Sequence, residues 1–178
     1  MPPERLPVHW HWDEYSEAFR QRCHKKGIPL GVTRIGVHAG PAIVGNFGGG
    51  RFFDYTAYGD TINVAARLEA ANKQLGTRIC VSAPLADRVK DFRGRPIGDL
   101  ILRGKTEPLR VFEPLGLAQY KDSATKSYLD AFAKLEASDP DAIAAFAAHV
   151  GKLPKDRLAS FHLKRLLNGA TGARITMD

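Results

Sequence analysis

The sequence feature with the clearest consequence for the fold is a predicted strand that is followed, after only two residues, by a predicted helix. Residues 53–58 are rich in aromatic and β-branched side chains, which is typical of a β-strand. The pair Gly59-Asp60 interrupts this pattern, and residues 61–75 then have the pattern of a helix. Asp60 or Thr61 is suited to cap this helix, because each carries a side-chain oxygen. A narrow apolar stripe predicts that the helix lies on a sheet, and its members are Ile62, Ala65, Ala66 and Leu68.

The first turns of this helix carry two side chains that suit an anionic, oxygen-rich ligand. Asn63 and Arg67 are four residues apart, so they lie on one face of the helix. An amide and a guanidinium can both donate hydrogen bonds to oxygen atoms. The positive end of the helix dipole adds to this preference. The sequence therefore predicts an anion-binding face at the start of the helix.

The segments on either side of this unit predict further helices and strands. Residues 12–26 have the pattern of a helix that Gly27 would end, and Gly76 is placed to end the central helix. Ser82 can cap a short helix that runs to about Val89. The predicted strands cover residues 32–39, 42–44, 78–81, 96–103 and 108–113, the last two as an antiparallel pair.

A glycine-rich stretch at residues 47–51 allows two interpretations. Such a run can cradle phosphate groups when Lys-Ser/Thr and a helix follow it directly. Neither follows here, so the pattern favours the tip of a hairpin.

Composition and charge exclude several classes of protein. The 178 residues are enough for one domain with a core and an appendage. A net charge of +7 suits an anionic partner, but Lys and Arg are scattered, which favours a nucleotide or a plain solvated surface over nucleic acid. We find neither an apolar run that could cross a bilayer nor a secretory signal. Cys23 and Cys80 are far apart, which predicts reduced thiols in a cytoplasmic protein, with Cys80 in a strand core.

The composition changes after residue 117. Alanine-rich helical patterns lie around residues 121–136, 141–150 and 155–167, separated by proline-containing breaks. We therefore expect two units, a mixed domain over residues 1–117 and a helical C-terminal tail over residues 118–178.

Three blocks of sequence, taken in order, resemble the second half of a class III nucleotidyl cyclase catalytic domain. They are Arg34–Pro41 followed by Val44–Asn46, then Phe53–Glu69, then Leu102–Lys105. The resemblance covers roughly residues 12–116. It implies an α+β, ferredoxin-like nucleotidyl cyclase fold, with a mostly antiparallel sheet and helices on one face. The run Phe161–Leu167 resembles, more weakly, helical tails of bacterial sensor-linked cyclases.

The resemblance implies a chemistry and assigns residues to it. Class III cyclases convert a nucleoside triphosphate to a cyclic nucleotide and pyrophosphate with two metal ions, at a site between two catalytic domains in a homo- or heterodimer. Asn63 would orient the ribose, and Arg67 would stabilise the α-phosphate in the transition state. Arg103 would bind the triphosphate, with Lys105 beside it on the same strand face. Thr56 stands where the family reads the base, and a threonine there favours ATP over GTP.

One departure from the family pattern limits this assignment. The family's metal-binding aspartates and base-reading lysine precede the helix at residues 12–26, where this sequence has eleven residues. We therefore expect an N-terminally incomplete cyclase domain without metal ligands of its own, whose Mg²⁺ or Mn²⁺ ligands come from the missing half or a partner chain. Unpaired strand edges and an exposed apolar face should follow. The alternatives to an adenylate cyclase subunit are a catalytically inactive cyclase-like regulatory module and a gene fragment.

Overall fold

The chain alternates short strands with helices, and most of the helices lie in its second half. The computed structural model describes residues 8–177, with side chains described from Tyr15 onward. Its elements are α1 Val8–Lys25, β1 Ile35–Val37, β2 Ile43–Gly49, β3 Phe52–Tyr58, α2 Asp60–Leu75, β4 Ile79–Ser82, α3 Ala83–Ala86, β5 Gly94–Ile101, β6 Leu109–Pro114, α4 Leu117–Tyr120, α5 Ser123–Glu136, α6 Ala142–Lys152, α7 Arg157–Leu167 and β7 Arg174–Thr176. This combination of helices and strands confirms the predicted α+β class.

The main sheet has five strands in the order β1-β4-β6-β5-β7. Strand β6 pairs antiparallel with both β4 and β5, whereas the pairs β1–β4 and β5–β7 are parallel. The prediction of a mostly antiparallel sheet is therefore wrong for this sheet. Parallel neighbours need a long crossover, and here α2 connects β1 to β4 while the helical tail connects β5 to β7.

Strands β2 and β3 form a separate antiparallel hairpin. Gly49 pairs with Phe52, which leaves Gly50 and Arg51 as a two-residue turn. Gly50 has a φ of 65°, a conformation that glycine adopts without strain. The hairpin-tip interpretation is thus confirmed, although β2 extends well beyond the predicted residues 42–44 because pairing with β3 overrides its low intrinsic strand propensity.

The main sheet is covered on both faces. The larger core joins α2, α5, α6 and α7 to one face, and its largest fully buried side chains include Leu68, Leu75, Ile97, Leu100, Tyr128 and Phe132. The smaller core lies on the other face, where Ile79 and Val81 pack with Ala86 of α3. Cys80 lies between these two residues of β4 but faces the larger core, as predicted for a strand-core thiol. Burial raises the pKa of this thiol to about 12.

A close backbone approach and one buried amide fix the position of α2 on the sheet. A Cβ atom placed on Gly36 would lie only 2.2 Å from the carbonyl oxygen of Ala65, so only glycine allows this contact. The Asn72 Nδ2 atom donates to the carbonyl oxygen of Ile35 at 3.0 Å, and its Oδ1 atom accepts from Thr77 at 2.8 Å. These contacts set the rotation of the helix, and therefore the direction of its outer face.

This rotation differs from the one that the apolar stripe predicted. Val64, Leu68 and Leu75 are buried, whereas Ile62 is 43% exposed and Ala66 is also exposed. The prediction is wrong for Ile62 and Ala66 because two polar residues, Thr61 and Asn72, occupy the buried face and hide its period.

The segment after residue 117 contributes helices and also one strand. Helices α5, α6 and α7 agree with the three predicted patterns to within two residues at each end. They belong to the same core as α2 and β5. Strand β7 was not predicted, and it pairs with β5 at the edge of the sheet. The division at residue 117 stays a prediction.

An apolar surface remains exposed on the hairpin and on α1. Its most exposed members are Phe52, Ile43, Tyr55, Phe53, Tyr15, Val44 and Tyr58, between 86% and 56% exposed. Within the described residues, β1 pairs with β4 alone. These features agree with the expected open edge and apolar face. None of the described helices is both long and apolar enough to span a membrane.

Candidate functional site

The start of α2 is built differently from the predicted side-chain cap. Gly59 is the N-cap residue, and no side chain caps the helix. The Thr61 hydroxyl instead donates to the carbonyl oxygen of Pro41 at 2.5 Å, which ties the helix to the segment after β1. The Asp60 carboxylate lies 2.6 Å from the Lys105 ammonium. Asp60 and Thr61 therefore anchor the helix to other segments rather than capping it.

The turn after β5 carries the two predicted triphosphate-binding residues. Strand β5 ends at Ile101, and the Lys105 amide donates to the Leu102 carbonyl oxygen at 2.9 Å to close a turn. Gly104 adopts a φ of 71° within it. Arg103 and Lys105 thus lie in a turn, so the prediction that they share a strand face is wrong. The reason is this local hydrogen bond, which ends the strand two residues early.

Arg67 reaches this turn from α2. A Cβ atom placed on Gly104 would lie 3.8 Å from the Arg67 Nη2 atom, so the guanidinium lies against the turn between Arg103 and Lys105. We call Arg67, Arg103 and Lys105 the cationic cluster. Arg67 and Arg103 also line a cavity of about 260 Å³, together with Ala70, Ala71, Gln74, Leu102 and Met177. Two elements that are distant in sequence therefore bring positive charge to one place.

The other two predicted residues are placed differently. Asn63 is exposed on α2, one turn before Arg67, so the two can address one ligand from the same helix face. Thr56 is half-buried in β3, opposite Gly45, and belongs to the hairpin rather than to the main sheet. The roles of all five residues stay predictions.

Charges around the cluster are partly paired. The hydrogen bond from Lys105 lowers the pKa of the Asp60 carboxyl, and the charges of Lys105 and Arg67 act in the same direction.

The start of α3 is also built differently from its prediction. The His38 Nδ1 atom lies 2.8 Å from the Ser82 hydroxyl, and burial lowers the pKa of His38. This contact engages the Ser82 hydroxyl, so the predicted side-chain cap of α3 is wrong.

The described residues do not fit a divalent metal ion. No group of three or more His, Cys, Asp or Glu side chains converges anywhere in the part of the chain with described side chains. The Asp60 carboxylate contacts the cationic cluster, but it is bound to the Lys105 ammonium. Mg²⁺ and Mn²⁺ prefer several carboxylate or carbonyl oxygens, and this arrangement does not supply them.

Sequence reasoning misses one residue and one ion pair at this site. The sequence places Asp60 beside the predicted site residues and predicts a helix cap there, but nothing in the local sequence links Asp60 to Lys105. Met177 lies on the wall of the cavity that Arg67 and Arg103 line. Its place there depends on the pairing of β7 with β5, for which the sequence carries no periodic signal.

Comparison with known proteins supports the predicted family. The adenylate and guanylate cyclase catalytic domain matches residues 15–113. Adenylate cyclase 1 of Rhizobium meliloti (strain 1021) is 38% identical over 108 residues, which make up 60% of this chain and 16% of that protein. An adenylate cyclase of Anabaena cylindrica is 29% identical over 105 residues, 57% of this chain and 21% of that protein. The soluble guanylate cyclase gcy-33 of Caenorhabditis elegans is 36% identical over 115 residues, 60% of this chain and 12% of that protein.

The fold agrees with this result. The adenylyl cyclase CyaB from P. aeruginosa superposes with a TM-score of 0.53 and 26% sequence identity, covering 61% of this chain and 55% of that chain. The predicted cyclase fold is thereby confirmed. The chain spans only 12% to 21% of the length of the three curated relatives named above. Because the matched region covers more than half of the 178 residues, the chain belongs to the adenylate and guanylate cyclase catalytic domain family.

Proposed function

We propose that this chain carries the transition-state half of an adenylate cyclase site, at which ATP is converted to cyclic AMP and pyrophosphate. The observation that carries the proposal is the position of the Arg67 Nη2 atom, which lies 3.8 Å from where a Cβ atom on Gly104 would be, in the turn that bears Arg103 and Lys105. It concentrates three cationic side chains from α2 and the β5–β6 turn, which suits a triphosphate.

The cationic cluster would act on the charge that moves during the reaction. The ribose 3′-hydroxyl loses its proton to water, and its oxygen forms a bond to the α-phosphorus while the bond from that phosphorus to the bridging oxygen of pyrophosphate breaks. Arg67 stabilises the charge on the α-phosphate, and Arg103 and Lys105 hold the other phosphates. Fixed donors in such positions lower the barrier because they need no reorganisation during the reaction. Lys105 must exchange its partner Asp60 for a phosphate oxygen.

Asn63 and Thr56 would position the nucleoside. Asn63 lies one helical turn from Arg67, so its amide can bond the ribose while Arg67 binds the α-phosphate. The Thr56 hydroxyl can accept a hydrogen bond from the adenine amino group, which favours ATP as the substrate. Thr56 belongs to the hairpin, so this role requires the hairpin and the main sheet to face one ligand.

The proposal requires a second cyclase domain, as a homo- or heterodimer partner. Mg²⁺ or Mn²⁺ would be held by residues outside the described part of the chain, in another segment of the polypeptide or in a partner. The exposed apolar side chains of the hairpin and of α1 support docking of such a domain, because large apolar side chains exposed in number are typical of interaction surfaces.

A complementation assay tests the proposal. The purified chain is mixed with a polypeptide that bears the family's metal-binding half, and cyclic AMP and cyclic GMP are measured with ATP, GTP and Mn²⁺. We expect metal-dependent cyclic AMP on mixing, and Asn63→Ala or Arg67→Ala should lower the rate by roughly 10²–10³-fold. Lys73→Ala is the matched control, since Lys73 is an exposed cation on the same helix.

Two outcomes would contradict the proposal. An unchanged rate for Arg67→Ala would remove the assigned transition-state role. Nucleotide binding without any product on mixing would identify a catalytically inactive cyclase-like module instead.

A further inference from the structure

The start of β5 is tied to the helical tail by a buried ion pair. The Arg95 guanidinium donates to the Asp156 carboxylate through Nη1 at 2.5 Å and Nη2 at 3.1 Å. Its Nε atom donates to Glu113 of β6 at 2.7 Å. Only 15% of the Arg95 side chain and 11% of that of Asp156 are exposed. Asp156 is the N-cap residue of α7, so this pair joins the start of α7 directly to the start of β5.

The next residue of β5 is held by α5. The Tyr128 hydroxyl donates to the carbonyl oxygen of Pro96 at 2.8 Å, and the Arg95 guanidinium lies 4.5 Å from the centre of the Tyr128 ring. Tyr128 is completely buried. The tail therefore contacts two successive residues at the start of the strand.

The second half of β5 is held by β7. The Asp99 amide donates to the Ala173 carbonyl oxygen at 2.9 Å, and the Met177 amide donates to the Ile101 carbonyl oxygen at 2.9 Å. Between these bonds, Leu100 pairs with Ile175. Ile101 is the last residue of β5 and precedes Arg103 by two positions. The strand is thus fixed by the tail up to the turn that carries the cationic cluster.

The Met177 side chain continues this support into the site. It is 7% exposed and belongs to the larger core. It also lines the cavity of about 260 Å³ that Arg67 and Arg103 line. A methionine fills irregular space without a polar group, so it shapes the wall without competing for the guanidinium groups.

We infer that Met177 is a positioning residue for Arg67 and Arg103, and that through β7 the helical tail controls the geometry of the cationic cluster. The consequence for catalysis rests on the proposed function, but the positioning itself does not. A change in how the tail packs on β5 would shift Arg103, because the Met177–Ile101 hydrogen bond links the tail to the end of β5. It would also shift both guanidinium groups, because the Met177 side chain forms part of the cavity wall.

The side-chain signals of the two arginines test the positioning directly. In the full chain labelled with ¹⁵N, we would compare the Nε–Hε signals of Arg67 and Arg103 and the amide exchange of Arg103 between variants. Met177→Ala should shift both side-chain signals and speed amide exchange at Arg103 by roughly tenfold, because the end of β5 opens more often. Met177→Leu should restore both.

Two controls separate positioning from a loss of stability. Thr176→Ala alters the exposed residue that directly precedes Met177 and should leave the signals unchanged. Phe146→Leu removes volume from a completely buried position of α6 that does not line the cavity, so it should lower Tm without moving either arginine. Equal shifts in Phe146→Leu and Met177→Ala would overturn the inference, as would unchanged signals in Met177→Ala.

Titration with inorganic triphosphate then separates this inference from the proposed function. Met177→Ala should weaken triphosphate binding by roughly tenfold, comparable to the loss of one charge-assisted hydrogen bond. A Kd equal to that of the wild type would refute the control of the site by the tail. If the wild-type chain binds no triphosphate, the proposed function fails, and the arginine signals still decide whether Met177 positions the two side chains.

Discussion

The Asp156 carboxylate accepts four hydrogen bonds from three elements, so its removal should be unusually costly. Beyond the two bonds from Arg95, it accepts from the His149 Nε2 atom at 3.0 Å and from the Ala159 amide at 3.1 Å. The last of these caps α7. Asp156→Ala removes all four bonds at once and leaves the Arg95 guanidinium with Glu113 as its remaining carboxylate partner among the contacts described above.

The size of the effect follows from the burial of the pair. Loss of a capping side chain costs about 1 kcal/mol. Removal of one partner of a buried ion pair costs about 3–5 kcal/mol, since the other charge stays in the interior. These terms share one carboxylate and do not add, and Glu113 still neutralises part of the Arg95 charge, so we expect a loss of about 3 kcal/mol, at the lower end of this range, for Asp156→Ala. Domains of this size are stable by about 5–15 kcal/mol in total.

Urea denaturation of the full chain, followed by circular dichroism, measures this loss. Asp156→Asn can keep the cap and should be less damaging than Asp156→Ala. Asp141→Ala is the matched control, because Asp141 is also an N-cap residue but makes no side-chain cap bond and is 74% exposed. We expect a change below about 0.5 kcal/mol for Asp141→Ala. If Asp156→Ala cost no more than this control, the ion pair would not hold the tail on β5.

Acid should reproduce part of this effect. Burial alone would raise the pKa of Asp156, but the hydrogen bonds and charge of Arg95 outweigh it and lower the pKa below the ordinary value. A group with a lowered folded-state pKa stabilises the protein above its unfolded value of about 3.9, and this stabilisation is lost as the pH falls through the folded value. The wild type should therefore lose more stability than Asp156→Asn between about pH 5 and pH 2.

Two further predictions concern α2 and the thiols. Gly76→Ala should destabilise the chain by roughly 1–3 kcal/mol in urea denaturation, because Gly76 has a φ of 77° and a new Cβ would lie 2.5 Å from that of Arg157. Gly27→Ala is the control for backbone strain alone, because Gly27 has a φ of 75° and open space around it. Equal losses of stability in the two variants would exclude a contribution from the clash with Arg157. In the native chain a thiol reagent should modify the half-buried Cys23 and spare Cys80 until urea unfolds the protein, since Cys80 is fully buried and its pKa is raised to about 12; rapid modification of both would contradict the packing of β4.

The parts of the fold that sequence reasoning predicted correctly depend on local signals. The strand, the Gly59-Asp60 break and the helix lie within a short stretch, and each has its own residue preferences. The end of α2 followed from Gly76, whose left-handed conformation is a property of glycine itself. The pairing of β5 with β6 followed in the same way from two strand patterns separated by a glycine-containing turn.

The parts that were predicted wrongly depend on distant partners. Asp60 has the sequence context of a cap, but Lys105 provides a stronger charged partner from another turn. Ser82 likewise has the sequence context of a cap, but its hydroxyl contacts His38, which is distant in sequence. Of the candidate site, the shared helix face of Asn63 and Arg67 could be predicted from their spacing. The approach of Arg67 to Gly104 could not, because it depends on how α2 rests on Gly36.

The parallel pairing of β7 with β5 has a consequence for how the protein is made. Thr176 follows its partner Ile101 by about 75 residues. At a synthesis rate of roughly 5–20 residues per second, β5 waits about 4–15 s for the strand that covers its edge. During that time the ribosome carries a chain whose sheet has an open, pairing-competent edge, which is the kind of surface that chaperones bind and that aggregation begins from. A nascent chain stalled before residue 174 would keep that edge, so this sheet cannot be completed before the ribosome has made the residues of β7.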